Sequence, residues 1–184
     1  SICNAISSTT CSSGPLSARI WSPCRRPASP RPDLSDLSDA TIAYAAAHQD
    51  ELGQIVAAVE ADTGAGQPLG FRVDMRAADS GERDEALAAQ VVAALQASMA
   101  LLQPIYATEL EISWSGADIS PLVKLGVPGL GLKHDTSGYW PIHHTRADTF
   151  DKIDPALLAR NVAAMTVMGW ILAEQPEPLP RSQV

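Results

Sequence analysis

Between residues 39 and 174, short apolar or β-branched runs alternate with segments of helical period, and this constrains the fold more than any other feature of the chain. A strand must bury a face and a helix a stripe, so the alternation places helices against a sheet. Residues 54–60, Gln-Ile-Val-Ala-Ala-Val-Glu, read as a buried strand. Residues 69–73 read as a second strand or an extended connector, 109–114 alternate through Leu110, Ile112 and Trp114, and 127–133 form another apolar run. Between these runs, Asp39 stands where a cap would open a helix through Ile42 and Tyr44 to about residue 52, closed by Gly53. Residues 82–103 carry Leu87, Val91, Leu95, Met99 and Leu102 on one helical face, with three acids in the first turn and Pro104 beyond the end. Ser120, Pro121 and Gly126 frame a short helix. Asp154 and Pro155 open a final helix with an expected buried stripe of Leu157, Leu158, Val162, Met165, Met168, Ile171 and Leu172. The expected fold class is α/β, a three-layer arrangement of a sheet with helices on both faces.

Composition changes abruptly at the start of this pattern. Residues 1–32 hold four arginines and no acid, whereas from Asp33 onward 9 basic and 21 acidic residues leave a balance of −12. All three cysteines, Cys3, Cys11 and Cys24, fall in the same basic segment, at spacings that fit neither a zinc knuckle nor a disulfide framework. Residues 1–38, rich in Ser, Pro and Arg, are expected to be irregular; 39–175 form one domain, and 176–184 a Pro-rich tail. The net charge of −8 argues against a nucleic-acid partner or an anionic membrane surface, and no uninterrupted apolar run approaches the roughly 18 residues of a membrane span.

Two places carry chemistry. Asp62 follows the strand at 54–60 and precedes Gly64 and Gly66, the position past a strand's carboxyl end where open α/β sheets gather ligand-binding groups; a plain turn there is the bland alternative. Residues 139–155 contain adjacent histidines, His143 and His144, with Tyr139, Trp140 and Phe150 and three aspartates. A loop held at both ends by regular elements presents an imidazole to a metal; solvated histidines are the alternative.

Three motifs resemble those of the co-catalytic zinc exopeptidases, the group that includes bacterial zinc aminopeptidases and carboxypeptidase Q. Val59-Glu60-Ala61-Asp62-Thr63-Gly64 is similar to the strand-end Glu-x-Asp-x-Gly motif, Gly116-Ala117-Asp118 leads into Gly126-Val127-Pro128, and Tyr139 precedes His143-His144-Thr145-Arg146-Ala147-Asp148-Thr149. The resemblance runs from about residue 39 to residue 181 and looks closest to the carboxypeptidase Q branch. It implies two zinc ions that share a water, with Asp62 binding one zinc and His144 the other, and His143 the less favoured ligand. It also implies that Tyr139 donates to the developing oxyanion, that Asp148 orients the histidine loop and that Asp118 braces the site. The substrate implied is a peptide or dipeptide, and a periplasmic or secreted location is suggested by the resemblance alone.

The upstream part of the family pattern, a histidine, a bridging aspartate and a Glu-Glu pair that supplies the base, is expected before residue 39. This chain has no histidine before His48 and no Glu-Glu pair. The resemblance therefore implies a zinc exopeptidase-like domain incomplete at its N-terminal side, holding at most one zinc weakly and inactive alone. Self-association into homo-oligomers is expected from the sheet edge this leaves. The composition of residues 1–38 is compatible with an out-of-frame translation of the missing part, and equally with a fragment boundary or a native divergent tail. Two other functions share the architecture: a non-catalytic interaction domain, and a single-zinc acyl transferase of the glutaminyl cyclase kind.

Overall fold

A computed structural model of the chain describes residues 4–7, 36–77 and 80–182. Five strands form one mixed sheet: β1 (Asn4–Ser7), β2 (Ile55–Glu60), β3 (Pro68–Asp74), β4 (Glu109–Ile112) and β5 (Gly129–His134), in the order β1-β2-β5-β3-β4. β2 runs parallel to β5 with Glu60 opposite Gly131, β5 runs antiparallel to β3 with Gly131 opposite Arg72, and β3 runs parallel to β4. The α-helices are α1 (Asp36–Ala47), α2 (Glu85–Leu95), α3 (Ser120–Lys124) and α4 (Pro155–Ala173).

The sheet separates two cores. On one face Ala57, Val59, Phe71, Val73, Leu130 and Leu132 meet α2 through Val91 and Leu95 and α4 through Ala164, Met168 and Leu172. On the other, Ala58 meets Ala45 of α1 and Leu122 and Val123 of α3. Alternate residues of a strand point to opposite faces, so Ala57 and Val59 serve one core and Ala58 the other. The expected three layers are present.

Several boundaries differ from the sequence reading, each for a physical reason. α1 starts at Asp36, so Asp39 lies inside the helix instead of capping it. The long helix expected at 82–103 ends at Leu95, and a 3-10 segment, Ser98–Ile105, follows at 73°. The bend keeps Met99 and Leu102 in the same core as Val91 and Leu95. Pro104 sits inside the 3-10 segment, and Tyr106, in the left-handed region at φ 59°, closes it.

α4 is capped as expected: the Asp154 carboxylate accepts the N–H of Ala156 and of Leu157. Its buried side is rotated, however. Asn161, Ala164, Met168, Ile171 and Leu172 are buried, while Leu158 and Val162 are 39% and 58% exposed. Asn161 sets the phase, because its Nδ2 donates to the Gly66 carbonyl at 2.7 Å and holds that side of the helix against the site loop. By length and composition α4 would also suit a membrane span, at a mean hydropathy of 1.5; its buried apolar residues here pack on the sheet.

Of the stretch expected to be irregular, residues 8–35 lie outside the described residues, and residues 4–7 form the edge strand β1, antiparallel to β2. The Pro-rich tail is not loose. Leu179 is buried, Arg181 donates to the carbonyls of Gly53 at 2.7 Å and Leu52 at 2.9 Å, and the Ser182 hydroxyl donates to the Arg76 carbonyl at 2.6 Å.

Candidate active site

The site is organised at the carboxyl end of β2. Glu60, the last residue of that strand, is buried, and its Oε2 accepts the N–H of Asp118 at 2.9 Å and of Ile119 at 3.1 Å. Those two amides lie just ahead of α3, whose N-terminus has no side-chain cap of its own. Ser120, expected to cap the helix, is instead its first residue, and the Glu60 carboxylate holds the two amides that lead into it. Burial raises the Glu60 pKa above the usual carboxylate range, with the negative charges of Asp118 and Asp62 adding to the rise, while the two amide donors oppose it.

The loop that carries Asp118 can reach Glu60 because two glycines let it. A side chain on Gly131 of β5 would collide with the Ser115 carbonyl, so the loop lies directly on the strand. A side chain on Gly116, at φ 144°, would collide with the Glu60 carboxylate. The result is a group of three acids, Glu60, Asp62 and Asp118, whose carboxylate oxygens lie within 4.8 Å of one another. The Asp118 backbone is braced by Glu60, while its carboxylate joins the group of three acids.

The histidine loop forms the facing wall. His143 N–H bonds to the Tyr139 carbonyl at 2.9 Å and Thr145 N–H to that of Ile142 at 2.9 Å, so residues 139–145 make one helix-like turn. His144 sits at its end in the left-handed region, φ 58°, a conformation histidine adopts more readily than bulky or branched residues. Its ring stacks on His143 at 3.7 Å, and His143 in turn lies 4.5 Å from the Tyr139 ring. Tyr139 rests against Gly64, 3.1 Å from where a Cβ would stand. Burial raises the Tyr139 pKa, as do the negative charges of Asp62 and Asp148.

A second contact locks the two loops together. His134, at the end of β5 and 3% exposed, bonds through Nε2 to the Thr63 carbonyl at 2.6 Å. Burial lowers its pKa, which favours the neutral ring, and a neutral ring donates to a carbonyl in its Nε2–H tautomer. Asp135 N–H also bonds to the Gln67 carbonyl at 2.9 Å.

Asp62, Tyr139 and His144 all line one cavity of about 900 Å³, together with Asp118, His143 and Asp148. Asp62 and His144 are exposed to it and stand on opposite loops. His144 is not part of the three-acid group. Carboxylate and imidazole are the ligand types zinc takes, and the position of Asp62 beside two further carboxylates fits a divalent cation. The sequence reading missed Glu60 and His134 as positioning groups. The signal for Glu60 was an acid closing a strand otherwise buried; His134 had no such signal.

Comparison with known proteins agrees with this layout. The model of Peptidase family M28 matches residues 39–168. Carboxypeptidase Q of Xenopus laevis is 31% identical over 138 residues, 75% of this chain and 27% of that protein, and the human carboxypeptidase Q is 29% identical over 139 residues. The crystal structure of a Peptidase M28 precursor from Shewanella amazonensis SB2B superposes with a TM-score of 0.63 at 31% identity, covering 78% of this chain and 30% of that one. The chain therefore spans somewhat over a quarter of the length of these relatives.

Proposed function

The chain belongs to Peptidase family M28, and from that membership we propose that residues 39–175 are the C-terminal part of the catalytic domain of a zinc-dependent exopeptidase acting on peptides or dipeptides. The observation that carries the reading is that Asp62, Tyr139 and His144, from two stretches far apart in sequence, line a single cavity. Asp62, beside Glu60 and Asp118, and His144 on the facing loop are the residues that would hold zinc, as the family resemblance implies. Zinc, when bound, polarises a peptide carbonyl and makes a water acidic enough to attack near neutral pH.

The chain's own groups prepare that chemistry. Glu60 fixes the amides of residues 118 and 119, and with them the loop beside Asp62. His134 fixes the Thr63 carbonyl and so the turn that follows Asp62. Tyr139 keeps its proton at neutral pH, because burial and two nearby carboxylates disfavour the phenolate, and it donates toward a substrate oxygen. One aspartate and one histidine leave most positions around an ion to water, so the 184-residue chain would hold at most one zinc, weakly, and would hydrolyse little alone.

Zinc titration by calorimetry tests this reading. The chain should take up zinc weakly, and both Asp62→Asn and His144→Gln should reduce the uptake. Unchanged uptake in both variants would remove the ligand assignment. Chelator-sensitive hydrolysis of a dipeptide by the pure chain would overturn the expectation of inactivity.

A further inference from the structure

The cavity wall is strongly acidic, with six carboxylates against two cations, Arg72 and Lys152. Lys152 is neutralised by its neighbour Asp151, which accepts from its Nζ at 2.7 Å. Arg72 is different. It lies in mid-strand on β3, half-buried, between Glu111 on β4 and Gly131 on β5 in the sheet register. Phe71 and Val73 on either side point into the core under α2 and α4, so Arg72 emerges on the opposite face, where the loop from Trp114 to Asp118 crosses the sheet. Among the described residues its guanidinium has no hydrogen-bond or ion-pair partner.

Its nearest candidate, Glu111, is already engaged: Lys133 Nζ holds the Glu111 carboxylate at 2.6 Å and that of Glu109 at 2.8 Å. Arg72 attracts the Glu111 charge without bonding to it. The guanidinium has five donors and no acceptor; its nitrogens are not sealed from solvent, and the cavity they line is where an anionic group can reach them.

We propose that Arg72 is a specificity-determining residue that binds a carboxylate of the peptide substrate inside this cavity. The proposal rests on the peptidase reading above and deepens it. Elsewhere on the wall an anionic group meets carboxylates, so a peptide bearing one is admitted in the single orientation that puts that group on Arg72. The fork of the guanidinium matches a carboxylate with two parallel bonds. The carboxylate has two sources, the peptide's C-terminus or an acidic side chain.

The test uses the full chain stripped of metal, so that no zinc competes for the carboxylate. Alanyl-alanine, its C-terminal amide, and glutamyl-alanine amide are titrated while the Arg72 Nε–H and Trp114 indole N–H signals are followed by NMR. Alanyl-alanine should give saturable shifts at both signals, the alanyl-alanine amide should bind about tenfold or more weakly, and Arg72→Gln should abolish the carboxylate dependence. Binding of glutamyl-alanine amide that Arg72→Gln abolishes would support the proposal with the side chain as the source. Arg72→Lys keeps the charge but not the fork and should bind several-fold more weakly; it serves as the test should Arg72→Gln fail to fold. Equal binding of alanyl-alanine and its amide with no Arg72-dependent binding of glutamyl-alanine amide, unchanged binding in the Arg72 variants, or no binding of any probe would each overturn the proposal. The zinc titration reads Asp62 and His144 separately, so loss of zinc uptake with carboxylate binding intact, or the reverse, shows which reading has failed.

Discussion

Glu60 is a buried acid whose value lies in two backbone amides, and its dependence on Gly116 makes the pair testable. A methyl group at residue 116 would collide with the Glu60 carboxylate and hold a non-glycine residue at φ 144°. Gly116→Ala should cost about 2–3 kcal/mol in urea unfolding. His134 offers a test by pH. Burial holds its folded pKa below the ordinary histidine value of about 6.5, so as pH falls from that point the unfolded chain takes up a proton before the folded one does. Stability should therefore be full above about pH 6.5 and decline as pH falls toward the folded pKa. In His134→Gln, whose side chain retains a donor for the Thr63 carbonyl, the decline in urea midpoint over this window should disappear; its persistence would mean that another group titrates. Sequence reading found Asp62 and the His143-His144 pair because acids beside glycines and paired histidines are visible as types. It gave Glu60 and His134 no role because their work is done on backbone atoms 58 and 71 residues away, which spacing does not reveal.

At the scale of elements, periodicity located α2, α3, α4 and the strands β2, β4 and β5, left β3 open between a strand and a connector, and did not give the phase of each helix. α2 was legible because one row of large residues, Val91 and Leu95 continuing into Met99 and Leu102, occupies its buried face. Its break at Leu95 was not, since a straight helix and a bent one share the same spacing. In α4 apolar residues surround much of the axis, so two phases fit the sequence, and a polar contact from Asn161 decides between them. Paired substitutions separate the phases. Met168→Ala, at a fully buried position, should cost about 2–5 kcal/mol, whereas Val162→Ala, at 58% exposure, should shift stability by no more than about 0.5 kcal/mol in the same denaturant titration.

For the whole molecule, the sheet divides labour: one core under α2 and α4, a second under α1 and α3, and the cavity where the loops from β2 and β5 meet the loop before α3. The layers were readable from the alternation of elements; the sheet order was not, because β5 inserts between β2 and β3 through contacts that sequence order does not announce. The Pro-rich tail is clasped to the domain through Leu179, Arg181 and Ser182. Arg181→Ala, which removes donors from the carbonyls of Leu52 and Gly53, should lower stability by about 1–2 kcal/mol and the thermal midpoint by several degrees. The same clasp has a consequence for synthesis. Arg181 reaches back 129 residues to Leu52, and α4 supplies one wall of the larger core. A nascent chain that has exposed only its first four strands and α1 through α3 therefore lacks both, so the larger core is completed only once α4 has left the ribosome, and the clasp is added last. Until then the part of the sheet face that α4 covers stays exposed.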